Sequence, residues 1–141
     1  GFEDDHSPRY WYERHDPDTP GALRRTVYRF AVRSAPDPFL AALDCADPSL
    51  QVERRGETLT ALAALALLNN RFMLRQSEHF AARLAASADS PTGQLELAFR
   101  WALARPPREA EYAALLPLAE RYGWPAVCRL IFNLNEFMFI D

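Results

Sequence analysis

The last thirteen residues, RLIFNLNEFMFID, constrain the fold more than any other stretch because they are almost continuously apolar. From Val127 onwards, apolar residues recur at the three- and four-residue spacing of a helix, with a second apolar stripe beside the first. The first stripe comprises Val127, Leu130, Ile131, Leu134, Phe137 and Met138, and the second comprises Cys128, Phe132 and Phe139. A helix that is apolar over more than half of its circumference must be covered by other elements. We therefore expect the chain to end in a core helix against which the other helices pack.

Two asparagines are predicted to be structural polar residues. On a helical wheel with about 100° per residue, Asn135 falls on the apolar side, between Cys128 and Phe139. Leaving its amide unpaired there would cost about 1–3 kcal/mol, so we expect a hydrogen bond to the backbone of another element. Asn69, followed by Asn70, predicts a break between two helices because asparagine competes for backbone hydrogen bonds.

The chain from residue 58 onwards is predicted to be helical. Thr58 or Thr60 can cap a helix through ALAALALL, which is apolar all round and is expected in the middle of the domain. A second helix is predicted over residues 71–86. Ser90 before a proline predicts the start of a third helix, which ends at the sequence RPP. A fourth is expected to begin at Pro107 and to end at Gly123, with an interruption at an internal proline.

A short β element is predicted near the start of the domain. Residues 25–33 alternate with the period of a strand, which places the arginines on one face and the aromatic residues on the other: Arg25, Val27, Arg29, Ala31 and Arg33 alternate with Thr26, Tyr28, Phe30 and Val32. Its predicted partner is LQVER, residues 50–54, and the alternative is a helix over residues 23–33. Pro38 predicts one short helix between the two stretches.

Together these patterns predict a mainly α protein: a compact bundle of four to six helices with a small two-stranded β element and an extended N-terminal arm. Residues 1–22 carry several acids and three prolines without an apolar period, so they are expected to be an arm or linker. Residues 23–141 are expected to form a single helical domain.

Charge and hydropathy exclude some kinds of partner. The formal net charge is −3, so no general attraction to nucleic acid is expected. The longest apolar run, residues 59–68, has about half the length that a bilayer-spanning helix needs, so no membrane span is predicted. No secretion signal is recognisable at the start, and any such signal is expected to have been removed or to belong to a longer parent protein.

The arginines give the strongest candidate binding site. Five of them, on the predicted strands or directly after them, form a possible surface for a carboxylate, sulfate or phosphate. They are Arg25, Arg29, Arg33, Arg54 and Arg55. The alternative is a solvated strand face paired with acids of the N-terminal arm. Asp44 is a candidate structural partner for one of these arginines.

The other reactive side chains predict no catalytic, cofactor-binding or metal site. The three histidines do not stand at metal-ligand spacing with each other or with a cysteine. Cys45 and Cys128 form no zinc or haem motif, and the sequence leaves open whether they are two buried thiols or a disulfide.

Several stretches in order resemble the C-terminal domain of large planctomycete and verrucomicrobial proteins. These stretches are RRTVYRFAVRSAPDPFLAALD, RRGETLTALAALALLNN, LAFRWALARPP followed by Glu109 or Glu111, and LIFNLNEFMFID. The second stretch lacks the asparagine, proline and glutamine that the family's signature carries, since Leu59, Ala61 and Ala63 stand there. The resemblance implies an extracytoplasmic setting and attachment to a larger polypeptide that often carries a cytochrome-c-like domain. It implies no reaction, because the domain is one of unknown function.

Three hypotheses for function follow. The favoured one is a non-catalytic helical interaction or scaffold domain that contacts other domains of a parent protein or a protein partner. The second is a module that binds an anionic glycan or another anionic ligand through the arginines. The third is an accessory domain of a cytochrome-linked redox enzyme.

Overall fold

Helices dominate the parts of the chain that the computed structural model describes, which are residues 11–25, 28, 35–43 and 60–138. These parts contain seven α-helices and one 3₁₀ turn at Tyr12–Arg14. The helices are α1 (Pro38–Ala42), α2 (Ala61–Asn69), α3 (Arg71–Ser87), α4 (Pro91–Leu103), α5 (Glu109–Tyr122), α6 (Trp124–Ile131) and α7 (Asn135–Met138). The expectation of a mainly helical protein is thus confirmed.

The chain divides into two compact units, Gly1–Thr58 and Leu59–Asp141. This division falls later in the chain than the boundary after residue 22 that the composition suggested. Helices α2 to α7 all belong to the second unit, which carries the candidate functional site.

Residues 11–22, the described part of the expected arm, contain turns. The side chain of Asp16 accepts a hydrogen bond from the backbone of Asp18, at 3.0 Å, and the 3₁₀ turn precedes it. The Tyr12 hydroxyl donates to the carbonyl of Ala35 over 2.8 Å. Aspartate and proline favour turns over extended chain, which explains the difference. Helix α1 begins at Pro38 as expected, capped by the side chain of Asp37.

The predicted two-stranded β element is not seen. Most of residues 25–33 and all of residues 50–54 lie outside the described part of the chain, and no strand occurs within it. No element of the described residues corresponds to the predicted strand or to the alternative helix over residues 23–33.

The break between α2 and α3 lies where the two asparagines predicted it. Thr60 caps α2, since its hydroxyl accepts a hydrogen bond from Ala63 N at 3.1 Å. Asn70 ends α2 and caps α3, since its side-chain oxygen accepts from Phe72 N at 2.8 Å. The extended backbone of Asn70 separates two helices that would otherwise form one rod.

Helix α2 is less buried than its composition predicted. Ala63 and Leu67 are buried, whereas Leu62 and Leu65 are 65% and 58% exposed. The helix packs against α3 and α6 through one side, so its apolar circumference does not place it in the centre of its unit.

Local sequence also explains both ends of α4 and α5. The Ser90 hydroxyl accepts from Gly93 N at 3.1 Å at the start of α4, as predicted. Ala104 ends α4 in the left-handed conformation, with a φ of 56°. Helix α5 begins two residues after Pro107 and ends at Gly123, and it continues through Pro117, which is exposed. Proline has no N–H to donate to the carbonyl one turn earlier, and in an exposed part of a helix solvent can bond to that carbonyl instead.

The core of the second unit lies between α3, α4, α5 and α6. Its buried side chains are Ala81, Leu84, Leu95, Ala98, Phe99, Ala119, Val127, Cys128 and Ile131. Helix α6, which carries the last three, packs most extensively against α3. The inner helix of the core is therefore α6.

The prediction of one continuous C-terminal core helix is wrong. Helix α6 ends at Ile131, a turn follows, and α7 has no buried residue. Asn133 N and Leu134 N donate to carbonyls three residues earlier, at 3.0 and 3.1 Å, and such bonds tighten and end a helix. The chain then changes direction, so a wheel for an uninterrupted helix no longer gives the buried side. Leu134 and Phe137 are consequently 36% and 37% exposed.

Candidate functional site

The most highly connected polar group in the described residues lies where α4, α5 and α7 meet. We call it the Arg105 cluster: Arg105, Arg108, Glu111 and Glu136. Arg105 follows the left-handed residue that ends α4, and two prolines then carry the chain to α5. Because proline has no backbone N–H and a fixed φ, this segment stays short and rigid.

Arg105 binds Glu111 through two parallel hydrogen bonds. Arg105 Nη1 donates to Glu111 Oε2 over 2.9 Å, and Nη2 donates to Oε1 over 2.7 Å. Paired bonds of this kind match the planar guanidinium to the planar carboxylate and are among the strongest that side chains make. Both side chains are about one quarter exposed, at 23% and 24%. Nη1 also donates to the carbonyl of Pro106, at 3.0 Å.

Glu111 has a second role at the start of α5. Its Oε2 accepts from the backbone N–H of Arg108, the residue before the helix, at 2.6 Å. A glutamate at the third helical position that reaches back in this way satisfies a donor that the helix itself leaves free. The same carboxylate therefore fixes both the helix start and the guanidinium.

Glu136 connects the cluster to α7. Arg105 Nε donates to Glu136 Oε2 over 2.6 Å, and Arg108 Nη2 lies 3.8 Å from Glu136 Oε1. Glu136 is 31 residues from Arg105 in the sequence, so this contact joins two distant parts of the chain.

These contacts shift the pKa values of the side chains in the cluster. The hydrogen bonds from Arg105, partly offset by desolvation, lower the pKa of Glu111 to about 2. The hydrogen bond from Arg105 likewise lowers the pKa of Glu136. The two carboxylates raise the pKa of Arg105, chiefly through the hydrogen bond to Glu111. All three groups are held in their charged forms at neutral pH.

The cluster is suited to holding elements together. Nε, Nη1 and Nη2 of Arg105 all donate to acceptors of the same chain. The guanidinium carbon also lies 5.1 Å from the centre of the Phe99 ring, which is fully buried. In this arrangement the guanidinium is used as a structural link, since its donor nitrogens are already engaged.

Next to the cluster lies a contiguous group of rings, which we call the aromatic row: Phe80, Trp101, Phe132 and Phe137. Ring centroids are 6.2 Å apart between Phe80 and Trp101, 5.5 Å between Phe80 and Phe132, and 5.0 Å between Phe132 and Phe137. The row joins α3, α4, the turn after α6, and α7. Trp101 is 40% exposed, and the guanidinium of Arg83 lies 4.6 Å from its ring centre.

The structure describes few of the site residues that the sequence predicted. Arg25 is exposed, but Arg29, Arg33, Arg54, Arg55 and Asp44 lie outside the described residues. The predicted arginine surface therefore stays a prediction. Cys128 is a free, buried cysteine, so it does not form a disulfide with Cys45, which also lies outside.

Asn69 lies at the predicted break between α2 and α3, whereas Asn135 differs from its predicted role. Asn69 Nδ2 donates to the carbonyl of Leu65 over 3.0 Å, and its side chain is exposed. Asn135 is exposed at the start of α7, where the expected burial among apolar side chains is not found. The turn after Ile131 rotates α7 relative to α6, which explains this difference.

The sequence contained a partial signal for the Arg105 cluster. The RPP stretch and a following glutamate belonged to the family resemblance, but Arg105 was not a candidate residue. Glu111 stands at the third position of α5, where a reach back to the backbone is common, and this position distinguishes it from Glu109. No local pattern indicates that Glu136 approaches the same guanidinium.

Within residues 11–25, 28, 35–43 and 60–138, no group of three or more histidine, cysteine or acidic side chains is placed to hold a metal ion. No helix in that part of the chain is long and apolar enough to cross a membrane.

Comparison with protein families gives a match over most of the chain. Residues 4–119 match the model of PSD1, a protein of unknown function (DUF1553). The chain belongs to this family. The resemblance to a domain of unknown function is thereby confirmed, and the PSD1 match contains Arg105, Arg108 and Glu111 but ends before Glu136. Comparisons with curated proteins and with solved structures give no match.

Proposed function

We propose that this PSD1 domain is a non-catalytic interaction or scaffold domain of a larger extracytoplasmic protein. The aromatic row is the observation that carries the proposal, because it forms a contiguous set of rings with Trp101 and Phe137 more than one third exposed. Single exposed apolar residues are ordinary on protein surfaces, whereas contiguous ones are typical of contact sites. The extracytoplasmic setting is proposed on the family resemblance alone.

The chemistry of the row also suits protein contact. Tryptophan, other aromatic residues and arginine are enriched in the central residues of protein interfaces. Trp101 offers a large apolar ring, and Arg83 beside it offers a charged donor group. The partner would be another domain of the parent protein or a separate protein.

The Arg105 cluster supports this surface. It fixes the end of α4, which carries Trp101, and it holds α7, which carries Phe137. Rigid support matters because a preorganised surface loses less conformational entropy on binding.

A photo-crosslinking experiment tests the proposal. A photoreactive phenylalanine analogue is placed at Trp101 in the full-length protein that contains this domain, expressed in its native host. Tyr122 is the matched control, because it is 59% exposed and also has an arginine, Arg121, beside its ring. We expect one discrete crosslinked product from position 101, mapped by mass spectrometry to one segment, and no such product from position 122.

A second variant makes the result specific. Replacement by alanine of Phe80, the partly buried member of the row next to Trp101, should reduce the yield from position 101. Equal yields from positions 101 and 122, or no product from either, would contradict the proposal. Salt-sensitive retention of the protein on a sulfated glycan, without a crosslink at position 101, would instead favour the anionic-ligand hypothesis.

A further inference from the structure

Helix α7 is a single turn held to its unit mainly by side chains. It spans four residues, Asn135–Met138, and none of them is buried. A helix of this length is not stable by itself in water, because too few hydrogen bonds compensate for ordering the backbone. The contacts of two consecutive residues, Glu136 with Arg105 and Phe137 with Phe132, hold it in place.

The position of Arg105, which binds Glu136, does not depend on α7. Arg105 is fixed by Glu111 at 2.7 and 2.9 Å and by the carbonyl of Pro106 at 3.0 Å. Its guanidinium also lies over the ring of Phe99. Removal of Glu136 would leave Nε of Arg105 in the same place, ready to donate to another carboxylate.

The position of Phe132, whose ring contacts Phe137, likewise does not depend on α7. Phe132 is partly buried and stacks on Phe80, with ring centroids 5.5 Å apart. Phe80 in turn packs against the buried core. The ring of Phe137 can therefore leave Phe132 without removing any core side chain.

We infer that Arg105, Arg108 and Phe132 form a docking site for a protein segment that carries an acidic residue next to an aromatic one, and that α7 is its replaceable internal occupant. The inference rests on the proposed function and specifies the partner. The chain's own Glu136–Phe137 pair defines the chemistry that fits, and the exposed side chain of Arg108, at 71%, adds a second positive charge for an incoming carboxylate.

Competition between the two occupants sets the apparent affinity. A partner segment binds when α7 is detached, so its apparent dissociation constant equals the intrinsic constant divided by the open fraction. Asn133 and Leu134, in the turn between α6 and α7, provide the hinge. A site closed about 90% of the time would bind about tenfold more weakly than an open one.

The test uses a fluorescein-labelled peptide with the sequence of residues 133–138, NLNEFM, and the full chain. Two proteins are compared by fluorescence anisotropy: the unaltered chain and a variant with Glu136→Gln and Phe137→Ala, which weakens the internal occupant. We expect the peptide to bind the variant at least about tenfold more tightly than the unaltered chain. A control peptide with glutamine in place of its glutamate should bind the variant about tenfold more weakly, since it lacks the charged hydrogen bond.

Equal affinity of the peptide for both proteins, or no binding to either, would overturn the inference. Concentration-dependent dimers of the unaltered chain that are lost in the variant, detected by light scattering, would assign the site to α7 of a second copy and would also overturn the inference. If the double variant does not fold, hydrogen exchange of the Arg105 Nε–H is measured in the unaltered chain. The inference then requires exchange that is faster than global unfolding and that slows when the peptide is added.

Failure of this experiment and failure of the proposed function can be told apart. A crosslink from position 101 without binding of the peptide would leave the interaction domain in place and reject only the acidic-aromatic partner.

Discussion

At the scale of single residues, Arg105 and Glu111 form the strongest polar contact of the helical unit. Their paired hydrogen bonds are 2.7 and 2.9 Å long, and Glu111 also caps α5. Hydrogen bonds to charged groups contribute about 1.5–3 kcal/mol each, more than neutral ones. Glu109, in the same first turn, is exposed and provides a natural comparison.

Replacing Glu111 by glutamine should lower the free energy of unfolding by about 1.5–3 kcal/mol at neutral pH. The control Glu109→Gln should lower it by no more than about 0.3–1 kcal/mol, the usual contribution of a charge at a helix N-terminus. Urea unfolding followed by circular dichroism measures both values. Equal losses in the two variants would show that the contact with Arg105 contributes nothing.

The same carboxylate gives a signed pH dependence. The pKa of Glu111 is lowered from 4.5 to about 2, so its contribution is fully present above pH 4.5. It is lost as the pH falls from 4.5 towards 2, because protonation then favours the unfolded chain. The stability difference between the unaltered chain and the Glu111→Gln variant should shrink over that range in urea titrations. A difference that stays constant from pH 7 down to about 2 would contradict the assigned cause.

Cys128 should be unreactive in the folded protein. Burial raises the pKa of its thiol to about 12, and the thiolate is the reactive form. In a Cys45→Ser variant, which leaves Cys128 as the remaining thiol, labelling by a disulfide reagent should become rapid only in unfolding concentrations of urea. Fast stoichiometric labelling without urea would show that this part of the core is open.

At the scale of elements, most helix ends follow from nearby residues. Thr60, Asn70 and Ser90 each accept a hydrogen bond from a backbone N–H in the first turn of a helix. Two other ends depend on backbone conformation: Ala104 has a φ of 56° and Gly123 a φ of 83°. A residue with a Cβ is strained at such positive φ values, whereas glycine is not.

Glycine should therefore be more stable than alanine at both positions, so Gly123→Ala and Ala104→Gly should change stability in opposite directions. Gly123→Ala should destabilise the protein by about 1–3 kcal/mol, because the conformation at Gly123 is almost exclusive to glycine. Ala104→Gly should stabilise it by up to about 1 kcal/mol, since the strain of its Cβ is removed. Thermal melts of both variants measure the effects, with Gly21→Ala as a control, since an added Cβ there meets nothing within 4 Å. The same sign of change at both positions would contradict this explanation.

At the scale of the whole molecule, the core of the unit Leu59–Asp141 centres on Phe99. This side chain is fully buried among residues of α3, α5 and α6, and Arg105 lies over its ring. The core and the Arg105 cluster are therefore in direct contact, so loss of packing at Phe99 also removes support from the guanidinium.

Phe99→Leu should keep the fold. Phe99→Ala should destabilise it by about 3–5 kcal/mol, the usual cost of replacing a buried phenylalanine by alanine. Leu62→Ala, at a leucine that is 65% exposed, should change the free energy of unfolding by about 0.5 kcal/mol or less. Urea denaturation of the three variants provides the comparison. A cost at Leu62 similar to that at Phe99 would mean that α2 is covered by other parts of the chain in solution.

The sequence by itself determined the helical character of residues 60–131 and most of the helix boundaries. Capping by Thr60, Asn70 and Ser90, and termination at Gly123, act within a few residues of each helix end, so local patterns suffice to predict them. Membership of a family of unknown function was also recognisable from an ordered series of short motifs.

The tertiary structure decided the end of the last core helix, the choice of Glu111 over Glu109, and the approach of Glu136 to Arg105. These features depend on contacts between residues distant in the chain; Arg105 and Glu136 are 31 positions apart. A helical wheel assumes an uninterrupted helix, and it cannot include a turn and an ion pair that redirect the chain. Burial of a side chain depends on what packs against it, which the order of residues within one helix does not contain.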